Sequence, residues 1–417
     1  MNYADALAWL YGTQLSGIKL GLDNMRRLLA ALAWQPGETT RYLHVAGTNG
    51  KGSVCAMLDA VCRAEGYRTA LFTSPHLVSF RERMRLDGEP ISEAAVAEGL
   101  TRLRDMTAAW ETPPTFFELT TALALDWFSR ESAKIVVLET GLGGRLDATN
   151  VLEASALAAC VITAIDIDHA AWLGDTLTAI AAEKAGILKP GVPAVSAPQL
   201  PEGEATLRHV AHERGTPLRF VTEPVASAEI VVNLAGSHQR LNAALALAAL
   251  ADAGIAIPPQ AVRQGLARVE WPGRFQQLEN GRVILDGAHN PAAAHRLAQT
   301  WAEEFGAEAR ATIVLGVLRD KDAAGIARAL APIAARFVAT QSHNNPRALA
   351  TAELATILAD ASPGLACRQA ETLTAALSLA RAHDERILIA GSLFLVGEAL
   401  AQLLPNGGRP DLEISAQ

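Results

Sequence analysis

Cysteine, aromatic residues and charge are all sparse in this chain of 417 residues. Its four cysteines, Cys55, Cys62, Cys160 and Cys367, form no CxxC pair, which excludes a zinc ribbon; the spacing of Cys55 and Cys62 is that of packing on one helix. Aromatic residues make up 5%, too few for a nucleic-acid stacking platform, and a formal net charge of −8 with no basic run argues against a polyanion surface. A local phosphate site survives that exclusion, because it needs only one or two cations. The longest apolar run, near 154–165, is too short to cross a bilayer, and the opening "MNYADALAWLYGTQ" lacks the basic stretch of a signal peptide. The expectation is a cytosolic, monomeric protein whose partners are small molecules, with neither nucleic acid nor membrane among them.

Apolar residues, by contrast, fill half the chain, and its length exceeds the size at which one core stops growing, so two domains are expected. From Tyr42 onward short β-rich runs alternate with helical ones: "YLHVA", a helix from about Gly52 to Glu65, "RTALFTS", then "KIVVLET" and "ALAACVITAI". This alternation predicts an α/β fold with a mostly parallel sheet between helices and ligands at the strands' carboxyl ends. The helical "HQRLNAALALAALADAGI" closes the first unit, and "VEWPGRFQQLENGRVILDGAHNP" marks a boundary near Gln276. Residues 1–275 are thus read as a P-loop-type domain and 276–417 as a smaller C-terminal α/β domain with strands "RVILD", "ATIVLGV", "RFVAT" and "RILIAG".

The stretch "HVAGTNGKGS" has the strand, glycine-rich turn and helix start that collect backbone N–H groups around an anion. It misses the usual GxxxxGK[ST] spacing twice, at Val45 and at the extra Gly52 between Lys51 and Ser53, so a plain strand-to-helix turn is the competing reading. Three polar clusters follow at expected strand ends: "TSPH" with Ser74 and His76, "ETGLGGRLDATN" with Glu139, Arg145 and Asp147, and "DIDHAAWLG" with Asp166, Asp168 and His169. A Ser, Glu and His donor set at such positions suits Mg²⁺ or Mn²⁺ completed by water and phosphate oxygens. Glu183 and Lys184 in "EKAGILKPG" read by themselves as a solvated charge pair.

Taken together and in order, "AGTNGKGS", "TSPHL", "TFFELTT", "ETGLGGRLDATN", "DIDHAAWLG", "EKAGILKPG", "WPGRFQ" and "LDGAHNP" resemble the folylpolyglutamate synthase/dihydrofolate synthase family of the Mur ligase superfamily. The family's loop has the same GTNGKG[TS] form. The resemblance implies an ATP-dependent amide ligase of folate biosynthesis that phosphorylates a pterin-bearing carboxylate, of dihydropteroate or a reduced folate, and lets the amine of L-glutamate attack the acyl phosphate. It implies Thr48, Asn49, Gly50, Lys51, Gly52 and Ser53, with Asn242, Arg274 and Asp286, as the ATP site; Ser74, Glu139 and His169 as ligands of two Mg²⁺ ions, beside which a monovalent cation such as K⁺ has a place; and Lys184 as a carbamylated lysine bridging to the second metal. Lys51, His169 and Lys184 are the implied catalytic residues.

For the pterin, Thr115, Phe116, Phe117 and Glu118 and the segment Leu146, Asp147 and Ala148 match the family's binding segments, with an aromatic pair to stack on the ring and a carboxylate for its amino-imine edge. Phe116 and Phe117 also head an apolar helix, so core packing is the competing reading. Gly12, Thr13 and Gln14 occupy the N-terminal contact, though with residue types that depart from the family's, and Ala170 and Ala171 stand where relatives often carry polar residues. "SHNNPRALA", with His343, Asn344, Asn345 and Arg347, resembles a segment near the incoming glutamate; a helix cap is the alternative. Two other functions remain open at this stage: a peptidoglycan-precursor ligase, against which the pterin segments and the expected lack of a UDP-binding module argue, and a non-catalytic ATP-binding protein.

Overall fold

The computed structural model describes residues 1–16, 21–225, 230–343 and 345–404, with residues 15 and 16 described for the backbone only. Eight strands form the first sheet: β1 (Arg41–Ala46), β2 (Thr69–Phe72), β3 (Met84–Leu86), β4 (Glu89–Pro90), β5 (Ile135–Glu139), β6 (Leu157–Ile162), β7 (Ala194–Ser196) and β8 (Leu218–Phe220). Their order is β4-β3-β2-β5-β1-β6-β7-β8, parallel except where β3 pairs with β2 and β4. Because side chains alternate across a strand, Tyr42 and Ala46 of β1 enter one core while Leu43 and Val45 enter the other; Val136 and Leu138 of β5 likewise oppose Ile135 and Val137. Both faces are therefore apolar and both are covered by helices, as a parallel sheet requires.

The second sheet contains β9 (Gln276–Leu278), β10 (Val283–Leu285), β11 (Ala311–Leu315), β12 (Ala334–Ala339), β13 (Ala366–Gln369) and β14 (Arg386–Ala390), in the order β13-β12-β11-β14-β10-β9. Only β9 is antiparallel. Leu388 and Ala390 face one core and Ile387 and Ile389 the other. The two-domain α/β architecture expected from the alternation is what the chain adopts.

The differences are local. The helix expected across "DAAGIARALAPIAA" stops at Leu330, because Pro332 cannot continue it, and β12 begins at Ala334. The short strands β3, β4, β7, β8, β9 and β13 carry two to four residues each, too few for a period-two signal. Cys55, Cys62 and Cys160 are free and buried, and Cys367 is free and half-buried. Among the described residues no helix is long and apolar enough to cross a membrane.

In each sheet the strand order reverses at a central strand, and the crevices outside the carboxyl ends there are the natural ligand positions. β1 sits between β5 and β6, and β14 between β11 and β10. Residues following both sets of strands line a single cavity of about 690 Å³.

Candidate active site

The glycines of the loop after β1 explain its unusual spacing. Gly47 has φ +150°, and a Cβ there would run into the Thr163 side chain. Gly50, at φ +92°, caps the helix Lys51–Ala64, and a Cβ on it would lie 3.2 Å from Asn242 Oδ1. The extra glycine, Gly52, sits under Trp271, whose Nε1 would be 2.7 Å from a Cβ. The loop is pinned from outside: the amides of Thr48 and Asn49 donate to the Ala164 carbonyl at 2.9 and 3.1 Å, and the Thr48 hydroxyl donates to the Asp166 carbonyl at 3.0 Å. The first-turn amides of the following helix have no acceptor within the helix and face the cavity as an anion site. Lys51 folds back to donate to the carbonyls of Gly47 and Thr48 at 3.1 and 3.3 Å. Ser53 is buried and accepts from Gln239, whose Oε1 accepts a hydrogen bond from Asn242 Nδ2 at 2.9 Å.

Around this loop the cavity brings together Ser74, Glu139, His169 and Lys184. Glu139 ends β5, and its carboxylate accepts the Ser74 amide at 3.2 Å; burial raises its pKa while Lys51 pulls it down. His169 stands in the left-handed region at φ 53°, and burial lowers its pKa to about 4 against the opposing pull of Asp168. His76 is turned inward, its Nδ1 accepting from Arg83 at 2.9 Å. Among the described residues no three His, Cys, Asp or Glu side chains form a closed metal cage. A hydroxyl, one carboxylate and one imidazole fit an octahedral hard cation that keeps water and phosphate oxygens as its remaining ligands.

Lys184 departs from the solvated pair that its sequence neighbourhood suggested. Glu183 turns to Arg145, with 2.8 Å between guanidinium and carboxylate, and the Arg145 amide donates to the Glu183 carbonyl. Lys184 is buried on the other side of the helix Leu177–Ala185 and donates to the Gly47 carbonyl at 2.8 Å. Burial, reinforced by the Lys51 ammonium, lowers its pKa to about 7. Gly186 is required because the Arg145 backbone occupies the space of a Cβ.

The opposite wall comes from the second domain and the linker. Asp286 accepts the amides of Phe275 and Ala288, both at 2.8 Å, and so fixes the linker residue that follows Arg274. Asn290 and Asn49 exchange side-chain hydrogen bonds at 3.1 and 3.3 Å, and Asn290 also donates to Asp168 at 3.1 Å. Lys321 meets the same carboxylate at 2.5 Å, with both side chains buried. Burial alone would raise the Asp168 pKa, but His289, His169 and Lys321 together hold it far below the usual range. The phosphate loop, the His169 turn and the second domain are therefore one polar network.

The expected substrate residues divide. Phe116 is enclosed: Tyr11 stacks on it at 5.6 Å between centroids, Arg83 lies 5.1 Å from its centre, and Phe80 meets it edge-on. It is buried yet also borders the cavity, and half-buried Phe117 packs against Gly141 on the same wall. Thr115 and Glu118 form a reciprocal capping box at the start of the helix Phe116–Arg130. Asp147 accepts four hydrogen bonds, from the amides of Gly141, Leu142 and Thr149 and the Thr149 hydroxyl, which fills a carboxylate's acceptor capacity. Gln14, Leu146 and Ala148 line the cavity; Gly12, Thr13 and His343 do not. Thr13 instead donates to the Leu10 carbonyl at the end of the first helix, His343 is exposed, and Asn344 lies outside the described residues. The cap read into "SHNNPRALA" is also absent: the helix Thr351–Ala361 is capped by Ala350, and Arg347 reaches the cavity, paired with Asp320 at 2.9 Å.

The sequence reading passed over His238, Gln239, His289, Lys321 and Ser392, which line the cavity, and Asn290, which joins Asn49 to Asp168. The strand-end rule, applied to β10, β11 and β14 as it was to the first sheet, points to the last four.

The site combines an anion-binding loop, a divalent-cation donor set and a buried lysine across two α/β domains, the arrangement of a ligase that activates a carboxylate with a nucleotide. Residues 273–393 match the family described as Mur ligase, glutamate ligase domain. The chain is 35% identical over 435 residues to the dihydrofolate synthase/folylpolyglutamate synthase of Bacillus subtilis, covering 96% of this chain and 99% of that one. It therefore belongs to the dihydrofolate synthase/folylpolyglutamate synthase family. Escherichia coli FolC in complex with DHPP and ADP superposes with a TM-score of 0.82 at 32% identity, over 94% of this chain and 96% of that chain. The Yersinia pestis bifunctional enzyme complexed with AMPPNP and Mn ion gives 0.84 at 31% identity, over 97% and 98% of the two chains.

Proposed function

We propose that this protein is an ATP-dependent ligase that joins L-glutamate to dihydropteroate, and to tetrahydrofolate, through an acyl phosphate. The observation that carries the reading is the convergence of the phosphate loop, Glu139, His169 and Lys184 with an apolar wall of Phe117, Leu142 and Leu146 in one cavity. Lys51 leaves its two loop carbonyls to meet the β- and γ-phosphates beside the helix-start amides, while Asn242, Arg274 and Asp286 hold the nucleotide from the linker side. A Mg²⁺ ion held by Ser74, Glu139 and His169 would neutralise phosphate charge as the carboxylate oxygen attacks the γ-phosphorus and ADP leaves. The amine of glutamate then adds to the acyl carbon, the tetrahedral adduct expels phosphate, and the nitrogen loses a proton to give the amide.

The pterin stacks on Phe117, the less buried ring of the pair, and Phe116, Ala148 and Gln14 border it. Lys321 and Arg347 supply the cations for the carboxylates of the incoming glutamate. Lys184 as a neutral amine takes up CO₂ and releases a proton, and the carbamate anion serves a second Mg²⁺; the lowered pKa supports this, since only the neutral amine reacts.

Purified protein with ATP, Mg²⁺ and L-glutamate, offered dihydropteroate and tetrahydrofolate in separate reactions, tests the reading. Glutamylated product and ADP in equal amounts are expected from each substrate. Product from neither overturns it, and product from a UDP-linked peptidoglycan precursor instead would assign the chain to the other ligase branch.

A further inference from the structure

Behind the pterin wall lies a buried polar chain that the proposed reaction does not use directly. His44 is fully buried in the middle of β1, between Leu138 of β5 and Cys160 of β6. Its Nε2 is 2.8 Å from Thr149 Oγ1, and that hydroxyl is 2.5 Å from Asp147 Oδ1. Asp147 Oδ2 in turn holds the amides of Gly141 and Leu142 at 2.9 and 2.8 Å. Gly141, Leu142, Leu146, Asp147 and Ala148 all line the cavity. A strand buried at the centre of the sheet is thereby connected to the whole of one substrate wall.

The protons can be assigned by counting. Burial raises the Asp147 pKa, but all four groups on its carboxylate can donate, and the three backbone N–H donors among them pull it down and favour the ionised form. An ionised carboxylate only accepts, so the single Thr149 hydroxyl proton points to Asp147. The remaining contact of that oxygen requires a hydrogen on His44 Nε2. Nδ1 is then a bare acceptor, and it has no hydrogen-bond partner among the described residues. A fully buried imidazole with one unsatisfied nitrogen is costly, and an apolar side chain would cost less at that point in the core.

We infer that His44 is a positioning residue for the pterin substrate: as the Nε2–H tautomer it fixes the Thr149 hydroxyl, which orients Asp147 and so sets the wall from Gly141 to Ala148. The inference rests on the proposed pterin site, but it makes a separate demand on where an error in that wall is felt. The phosphate loop leaves the end of the same strand, yet it is held by Ala164, Asp166 and Asn290 rather than by this chain. Loosening the wall therefore weakens pterin binding and spares the nucleotide.

Two measurements on the full chain test this. ¹⁵N NMR of the wild-type imidazoles should show His44 as a neutral ring protonated at Nε2 across neutral pH; protonation at Nδ1 overturns the assignment, and this readout needs no variant to fold. Thr149→Val keeps the volume and removes the hydroxyl, and should raise KM for dihydropteroate about tenfold, as expected for one lost hydrogen bond to a charged group. KM for ATP should stay at the wild-type value, kcat should change little, and Thr149→Ser should restore the pterin KM. Equal losses toward both substrates, no loss at all, or failure of Thr149→Ser to restore would each overturn the inference. A wild-type enzyme inactive with every pterin would instead defeat the proposed function, which separates the two failures.

Discussion

The ammonium groups of Lys51 and Lys184 share one acceptor, the Gly47 carbonyl, at 3.1 and 2.8 Å. Two cations on one oxygen repel, and the burden falls on Lys184, which is the more deeply buried. Converting that group to a carbamate exchanges the repulsion for an attraction to Lys51 and to metal. The loop glycine, the phosphate lysine and the lysine of "EKAGI" thus form one electrostatic unit.

Lys184 should carry one CO₂ in the active enzyme, visible as the added mass of a carbamate in native mass spectrometry. With a pKa of about 7 the amine is increasingly protonated as pH falls below neutrality, so carbamate occupancy and turnover should fall together, and added bicarbonate should recover both. For the unmodified chain the linkage has a definite sign. Between about pH 7 and the ordinary lysine value the unfolded state holds a proton that the folded state has lost, so folding stability should rise with pH through that window. An unmodified, fully active enzyme, or stability falling across that window, would contradict the assignment.

Lys51→Ala should abolish useful turnover. Removing the one loop cation aimed at the phosphates should lower kcat/KM by about a hundredfold or more, the scale of losing a preorganised electrostatic contact. Stability should change little, because Lys51 contacts only loop carbonyls whose amide neighbours are pinned elsewhere. Folate-dependent ADP release checks the first expectation and thermal unfolding the second.

How much of this the sequence reveals depends on how local the signal is. The strands "YLHVA", "KIVVLET" and "RILIAG" are legible because each is a long apolar run buried on both faces. The strand-end rule then places Ser74, Glu139 and His169 around one loop, and the structure brings them to one cavity. Residue types alone could not divide Phe116 from Phe117: the first is enclosed by Tyr11, Phe80 and Arg83, which come from distant segments. Glu118 and Asp147 line the cavity as read, but residue types do not reveal that Glu118 also accepts the Thr115 amide and Asp147 three backbone amides. Lys321 was missed because its importance lies in a partner 153 residues away.

Gly52→Ala should damage the nucleotide site without touching a phosphate ligand. The new methyl group would lie 2.7 Å from the Trp271 indole nitrogen, closer than real contacts allow. Either the indole or the first turn of the helix must move, at a cost of about 1–3 kcal/mol. Both a lower melting temperature and a higher KM for ATP are expected. Adding Trp271→Leu to Gly52→Ala should return most of the loss, and a double variant no better than the single one would show that the glycine is needed for another reason.

Asp168→Asn should loosen the two domains. Asp168 receives Asn290 and Lys321 from the second domain, and the Lys321 ammonium is buried with it. Removing the negative charge leaves the buried Lys321 cation with only the half-exposed Asp320, 3.9 Å away, as counter-charge, and breaking comparable buried pairs costs about 3–5 kcal/mol. The domains can avoid that cost by separating, which returns Lys321 to water. Small-angle scattering of Asp168→Asn should therefore give a larger radius of gyration than the wild type, and turnover should fall because the Lys321 wall no longer faces the phosphate loop. Asp168→Asn combined with Lys321→Met removes the stranded charge and should recover the compact form while leaving activity low, because compactness needs only the absence of an unpaired charge and the reaction needs Lys321 itself. If the single variant stays as compact as the wild type, the ion pair does not hold the domains together, and the reciprocal amide pair of Asn49 and Asn290 is then sufficient to do so.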